Sequence, residues 1–287
     1  MAAQRRRKAP WRDRRGQFSW FKTATLAGCA APATVVAFWL ATHQLGGRPI
    51  KATLLWLGLW TVRFILLALA ITPVSQALAW PGLAVIRRMV GVTAAVYALA
   101  HLTLYSIDEN LRLGFVASEI LHRFYLTIGF VALVGLAALA ATSFDAAVRR
   151  LGRGWTRLHR LAYPIAALAL LHFFIQSKAA VGEPTVMAGL FLWLMGWRAL
   201  PAGWRGRLWV WPALALAAGL GTAAVEFAWY AIATGIDPWR VLAANETLRF
   251  GLRPAHWVTL ITLGLGFALA VGRAARTPMP MLRPRRA

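Results

Sequence analysis

The sequence predicts an all-α polytopic membrane protein, a bundle of about eight transmembrane helices, and three observations carry that reading. Hydrophobic residues make up 59% of the 287 residues, and mean hydropathy is +0.57, more apolar surface than a soluble domain of this size can bury. The apolar residues come in unbroken runs about twenty long, the length a helix needs to cross a hydrocarbon core of about 30 Å, rather than in the alternation of a barrel strand. Backbone groups in lipid must be satisfied within the segment, so these runs are helices. Finally, the formal charge of +23 gathers between the runs, where Lys and Arg set orientation and meet anionic lipid headgroups.

Residues 1–22 carry Arg5, Arg6, Arg7, Lys8, Arg12, Arg14, Arg15 and Lys22 against one acid, Asp13. This resembles the start of a signal peptide, but no clear A-x-A site follows and further apolar spans anchor the chain, so the first helix, at roughly 20–42, is expected to be retained. The other spans fall at roughly 53–71, 87–106, 122–142, 157–177, 184–200, 208–233 and 255–273. Arg87–Arg88, Arg149 to Arg157, Arg198 to Arg207 and Arg273 to Arg286 share the side of the N-terminus, while Asp108, Glu109, Glu119 and Glu183 mark the other. The positive-inside rule then puts both termini in the cytoplasm. Trp193, Trp197, Trp204, Trp209 and Trp211 are expected as interfacial anchors on that side, and 234–254 as a segment lying along the outer face. Three regions follow: 1–52, a basic N-terminus and first helix; 53–204, the core; and 205–287, two further helices and a basic tail.

Several function classes drop out. The basic residues are accounted for by topology and lipid, so no nucleic acid is expected. One cysteine, Cys29, excludes an internal disulfide, a cysteine-held iron–sulfur cluster and the C-x-x-C-H attachment of c-type haem. No dinucleotide fingerprint, Walker loop or nucleophile turn is present.

Ionisable or metal-ligating side chains are costly in lipid, so each one inside a span invites a functional reading. His101 lies fourteen residues into the third span and His172 fifteen into the fifth. Those spans run parallel, so the two imidazoles stand at nearly equal depth in the outer half and form a candidate pair of axial ligands to haem iron. The alternative is that each hydrogen-bonds a neighbouring helix. His159 precedes His172 by thirteen residues, about 20 Å along a helix, which puts it near the cytoplasmic face. There it is a haem ligand alone or with Met89, part of a flavin (FMN) or quinone site, or an interfacial histidine. Pro164 should kink the helix between them. His43, His122 and His256 sit at span ends and read as interfacial. Arg63 near the middle of the second span needs a carboxylate, a haem propionate, a quinone or water, and Glu226 in the seventh span is one candidate partner.

Several stretches together resemble the MsrQ (YedZ) family, within the ferric-reductase-like transmembrane superfamily: RFILLALAITP at 63–73, RRMVGVTAAVYALAHLTLY at 87–105, RFYLTIGF at 123–130, ATSFDAAVRRLGRGWTRLHRLAY at 141–163 and LLHFFIQSK at 170–178. They cover roughly the second to sixth spans. The resemblance implies b-type haem ligated by His101 and His172, a required role for His159, and electrons arriving from a cytoplasmic flavin reductase or the quinone pool. It implies delivery to the periplasmic molybdopterin catalytic subunit that repairs methionine sulfoxide. His122 and Phe124 stand where the family usually has Lys and Pro. Two other readings stay open: a stand-alone ferric or quinone reductase, and a haem-free transporter or structural membrane protein.

Overall fold

The computed structural model describes residue 11 and residues 16–276, other than 206 and 250. The basic residues expected to orient the N-terminus, apart from Lys22, and the tail beyond 276 lie outside the described residues. Among the described residues, seven helices are long and apolar enough to cross a membrane. The chain divides into two compact units, one of residues up to Leu69 with Ala84–Ser177, the other of Ala70–Leu83 with Lys178 onward.

The first unit contains α1 (Trp20–Ala41), most of α2 (Pro49–Ala77), α3 (Ala84–Asp108), α4 (Leu113–His122), α5 (Phe124–Ala141), α6 (Asp145–Leu151), α7 (Arg153–His159) and α8 (Ala162–Ser177). Ser19 opens α1 as its N-cap, its hydroxyl accepting from the Lys22 amide. Inside the helices Thr53, Thr61, Thr93 and Thr103 each donate the hydroxyl to the carbonyl four residues back, which satisfies a polar group that lipid cannot. Val96 and Leu99, over 40% exposed, point outward as lipid-facing residues do.

Helix α1 packs on α3, α3 on α5, and α5 on both α4 and α8. Two contacts fix the directions. Arg88 at the start of α3 meets Asp145, just past the end of α5, at 2.7 Å, and Thr142 at that same end of α5 meets His159 at 3.1 Å. Thus α5 runs opposite to α3, and α7–α8 start from the side where α3 starts. Pro32 interrupts α1, and the Tyr97 hydroxyl fills the gap: it accepts from the Ala33 amide at 3.0 Å and donates to the Cys29 carbonyl at 2.8 Å. It thereby bridges the two groups that an unbroken helix would pair directly.

The expected single helix over 157–177 is two. Residues 160 and 161 form a turn between α7 and α8, one helical turn before Pro164, whose ring clashes with the carbonyl four residues back and whose nitrogen offers it no hydrogen. The Arg160 carbonyl accepts instead from Tyr163. Gly152, at φ +49°, separates α6 from α7 with a backbone that side chains avoid.

The second unit is built from α9 (Gly182–Ala199), α10 (Val210–Ala233), α11 (Pro238–Ala244) and α12 (Pro254–Arg276), with α9, α10 and α12 packed on one another and α11 on α10. Helix α9 fills the expected span at 184–200 but is not among the seven, since its eighteen residues include Glu183, Pro184 and Arg198. Asp237 caps α11, its carboxylate accepting from the Trp239 amide, with Pro238 at the first helical position. The tryptophans divide. Trp204 and Trp209 are exposed as expected of anchors, whereas Trp193, Trp197 and Trp211 are buried in this unit. The four-residue spacing of Trp193 and Trp197 puts both on one face of α9, and that face is turned inward.

Candidate functional site

His101 and His172 are held by the same device on different helices. The Nδ1 of His101, on α3, is 2.8 Å from the backbone carbonyl of Leu54 on α2. The Nδ1 of His172, on α8, is 2.8 Å from the carbonyl of Tyr125 on α5. A carbonyl oxygen only accepts, so each Nδ1 carries the hydrogen and donates it, and each Nε2 keeps its lone pair. In both cases a glycine lies one helical turn beyond the carbonyl. A Cβ on Gly58 would fall 2.9 Å from the His101 Nδ1, and a Cβ on Gly129 would fall 2.7 Å from that of His172. The two imidazoles are within electrostatic range of each other, on helices that start from the same side of the unit.

That arrangement fits haem. A metal-ligating histidine characteristically donates its second ring N–H to a carbonyl or carboxylate, which fixes the tautomer and strengthens the nitrogen that faces the metal. Among the described residues no three His, Cys, Asp or Glu side chains gather into a metal-ion cage.

His159 is arranged differently. Its Nε2 is 3.1 Å from the Thr142 hydroxyl, and that hydroxyl spends its own hydrogen on the Ala138 carbonyl at 2.8 Å, so the imidazole donates through Nε2. Its ring stacks on Trp155, with centroids 4.0 Å apart and planes at 25°, and Trp155 Nε1 donates to the Thr142 carbonyl at 3.0 Å. Thr142 ends α5, so the two hydrogen bonds, from His159 and from Trp155, tie α7 to that terminus. Arg87 and Arg88 are the charges that bear on the ring. The nitrogen that His101 and His172 leave open is, in His159, engaged.

Arg63 lies on the α2 segment of the same unit, its guanidinium 4.9 Å from the centre of the Trp60 ring. Glu226 does not supply the partner the sequence suggested. It is 2% exposed, accepts from Arg253 at 2.6 Å and from the Asn245 amide at 3.0 Å, both in the second unit. His256 accepts from the Arg253 amide at 3.0 Å, while His122 donates to the Ser118 carbonyl at 2.8 Å and lines an apolar groove with Phe124, Thr127 and Leu168. Gly58, Gly129, Thr142 and Trp155 escaped sequence reasoning.

Comparison with known proteins agrees with this architecture. Residues 55–170 match the ferric reductase like transmembrane component family, a stretch that includes Gly58, His101, Gly129 and His159. The heme-binding subunit MsrQ of protein-methionine-sulfoxide reductase from Xanthomonas campestris pv. campestris is 42% identical over 186 residues, 62% of this chain and 84% of that protein. The protein of the same name from Xanthomonas oryzae pv. oryzae is 41% identical over 187 residues, 62% and 85% of the two chains. That of Brucella ovis is 37% identical over 170 residues, 58% and 76%. No solved structure gives a significant match. With identity at that level running across more than four-fifths of the length of the two Xanthomonas relatives, the chain belongs to the MsrQ family of protein-methionine-sulfoxide reductase heme-binding subunits.

Proposed function

We propose that this protein holds b-type haem between His101 and His172 and passes electrons across the bacterial inner membrane to a periplasmic molybdopterin-dependent methionine sulfoxide reductase. The observation that carries the reading is the matched pair of Nδ1–H to carbonyl bonds, which leaves two Nε2 lone pairs on helices of one unit. His101 and His172 would hold the haem, which when bound would supply a one-electron couple suited to electron transfer rather than oxygen binding.

The residues around it have separable tasks. The Leu54 and Tyr125 carbonyls orient the imidazoles. Arg63 brings a cation into a low-dielectric span, where a haem propionate is a suitable counter-charge. At the other end His159, stacked on Trp155 and flanked by Arg87 and Arg88, forms the electron intake, on the cytoplasmic side that the distribution of Lys and Arg indicates. Its positive surroundings suit the phosphate of FMN supplied through a flavin reductase, or the developing anion of a quinol.

The test is a coupled assay with the purified full-length protein, a flavin reductase or quinol as donor, and the periplasmic catalytic subunit with methionine sulfoxide. Donor oxidation should then be matched by methionine formed, two electrons for each sulfoxide reduced. Reduction of ferric chelates or quinone at undiminished rate without the catalytic subunit, and no methionine with it, would favour the stand-alone reductase.

A further inference from the structure

We propose that Gly58 and Gly129 are positioning residues for the two haem-ligating imidazoles: by omitting a Cβ beside Nδ1, each lets a helix carbonyl take the ring's hydrogen, and so sets both the direction and the donor strength of the opposite nitrogen. The inference rests on the bis-histidine reading above and deepens it.

The argument begins with a geometric recurrence. Leu54 and Gly58 are four residues apart on α2, and Tyr125 and Gly129 are four apart on α5, so each glycine stands one turn above the carbonyl that its histidine uses. A carbonyl within a helix is partly screened by the side chain one turn on. An imidazole reaching it edge-on must occupy the place of that side chain. At Gly58 the nearest atoms to a notional Cβ are Nδ1 and Cε1 of His101, at 2.9 and 3.0 Å; at Gly129 they are Nδ1 and Cε1 of His172, at 2.7 and 2.8 Å. Ordinary carbon contacts begin near 3.4 Å, so an alanine at either position drives the ring back by about half an ångström or more. The 2.8 Å bond to the carbonyl cannot survive such a retreat without weakening.

The same relation arises twice, on two helix pairs without sequence similarity around the glycines: TLLWLGLW at 53–60 and FYLTIGFV at 124–131. Glycine inside a helix is destabilising relative to alanine, so its presence at both points is set against a gain. Packing alone does not explain it, since the nearest neighbour at each site is the polar edge of an imidazole rather than an apolar side chain. A hydrogen bond from Nδ1 makes Nε2 a stronger donor, which favours the ferric over the ferrous state. Both axial ligands carry the bond, so both glycines act on the potential in one direction.

The experiment uses the full-length protein purified in detergent with its haem. Gly58→Ala and Gly129→Ala are expected to weaken haem affinity about 10–100-fold, to raise the midpoint potential and to alter the ferric low-spin electron paramagnetic resonance signal. Gly135→Ala is the control: its Cβ would crowd Ile165 on α8 at 2.6 Å but touches no histidine, and its potential and low-spin signal should match wild type. Should the alanine variants fail to fold with haem, the histidine-free backgrounds decide. Once the ring is removed by His101→Ala, Gly58→Ala should no longer lower thermal stability, and Gly129→Ala should likewise be tolerated alongside His172→Ala. Wild-type potential and low-spin signal in both glycine variants, or equal destabilisation with and without the ring, overturns the proposal. If the wild-type protein itself shows no bis-imidazole haem, the functional reading fails and takes this inference with it, a result visible before any glycine is changed.

Discussion

Three of the histidines in the first unit differ in which ring nitrogen is engaged. His101 and His172 donate through Nδ1 to backbone and keep Nε2 open, whereas His159 donates through Nε2 to Thr142 and lies flat on Trp155. Under the proposed function this difference matches different work: two ligands and one residue at the intake. His159→Ala is therefore expected to keep the absorption of haem reduced by dithionite, yet to accept electrons from flavin reductase or quinol more slowly than wild type in stopped-flow measurements. A wild-type rate with the physiological donor would reduce His159 to an interfacial residue. Thr142→Val, which removes the oxygen that receives the Nε2 hydrogen, should slow the same step without changing the spectrum. At this scale the histidines were legible in the sequence because a polar ring in an apolar run stands out. The glycines were not: the chain has 24 of them, and only the three-dimensional approach of an imidazole separates Gly58 and Gly129 from the rest.

At the scale of elements, runs of about twenty apolar residues announced the spans, because lipid leaves the backbone one local solution. The shorter features obey local rules that such runs hide. Helix α4 occupies part of the expected connection 107–121, α6 lies between spans, and the break before Pro164 falls where that proline deprives a carbonyl of its partner rather than at the proline itself. The interior tryptophans of α9 show the same limit: composition marks Trp as an interfacial residue, but Trp193 and Trp197 share the inward face of a helix and are 2% and 3% exposed. Glu226 found its partners in the connection that follows α10, since Arg253 and Asn245 both lie between α10 and α12. Removing one member of a buried pair strands the other charge and costs about 3–5 kcal/mol. Glu226→Leu and Arg253→Met are thus each expected to lower the thermal stability of the detergent-solubilised protein substantially, and the double variant to lose much less than the two effects combined. Additivity to within about 0.5 kcal/mol would show that the two side chains do not depend on each other.

For the whole molecule, the number of crossings governs topology. Among the described residues, seven helices meet the length and apolarity that a crossing needs, and α9, eighteen residues with Glu183 and Arg198 near its ends, falls short of that apolarity. The second unit packs α9 against both α10 and α12, as a crossing helix does, and we propose that it crosses as well, which agrees with the basic residues before α1 and after α12 marking one side in the sequence. Reporter fusions after residue 276 should accordingly behave as cytoplasmic; a periplasmic signal would mean that α9 does not cross, while leaving the parallel course of α3 and α8 untouched, since that rests on contacts within the first unit.

The direct measurement of haem ligation is the absorption spectrum of the purified protein, oxidised and then reduced with dithionite, for wild type, His101→Ala and His172→Ala. The expected result is a low-spin b-type spectrum in the wild type and loss of most of that signal in each single variant, with the protein still monodisperse. Full low-spin haem retained in both single variants, or a wild-type protein with no haem absorption at all, would contradict the assignment of these two histidines as the axial pair.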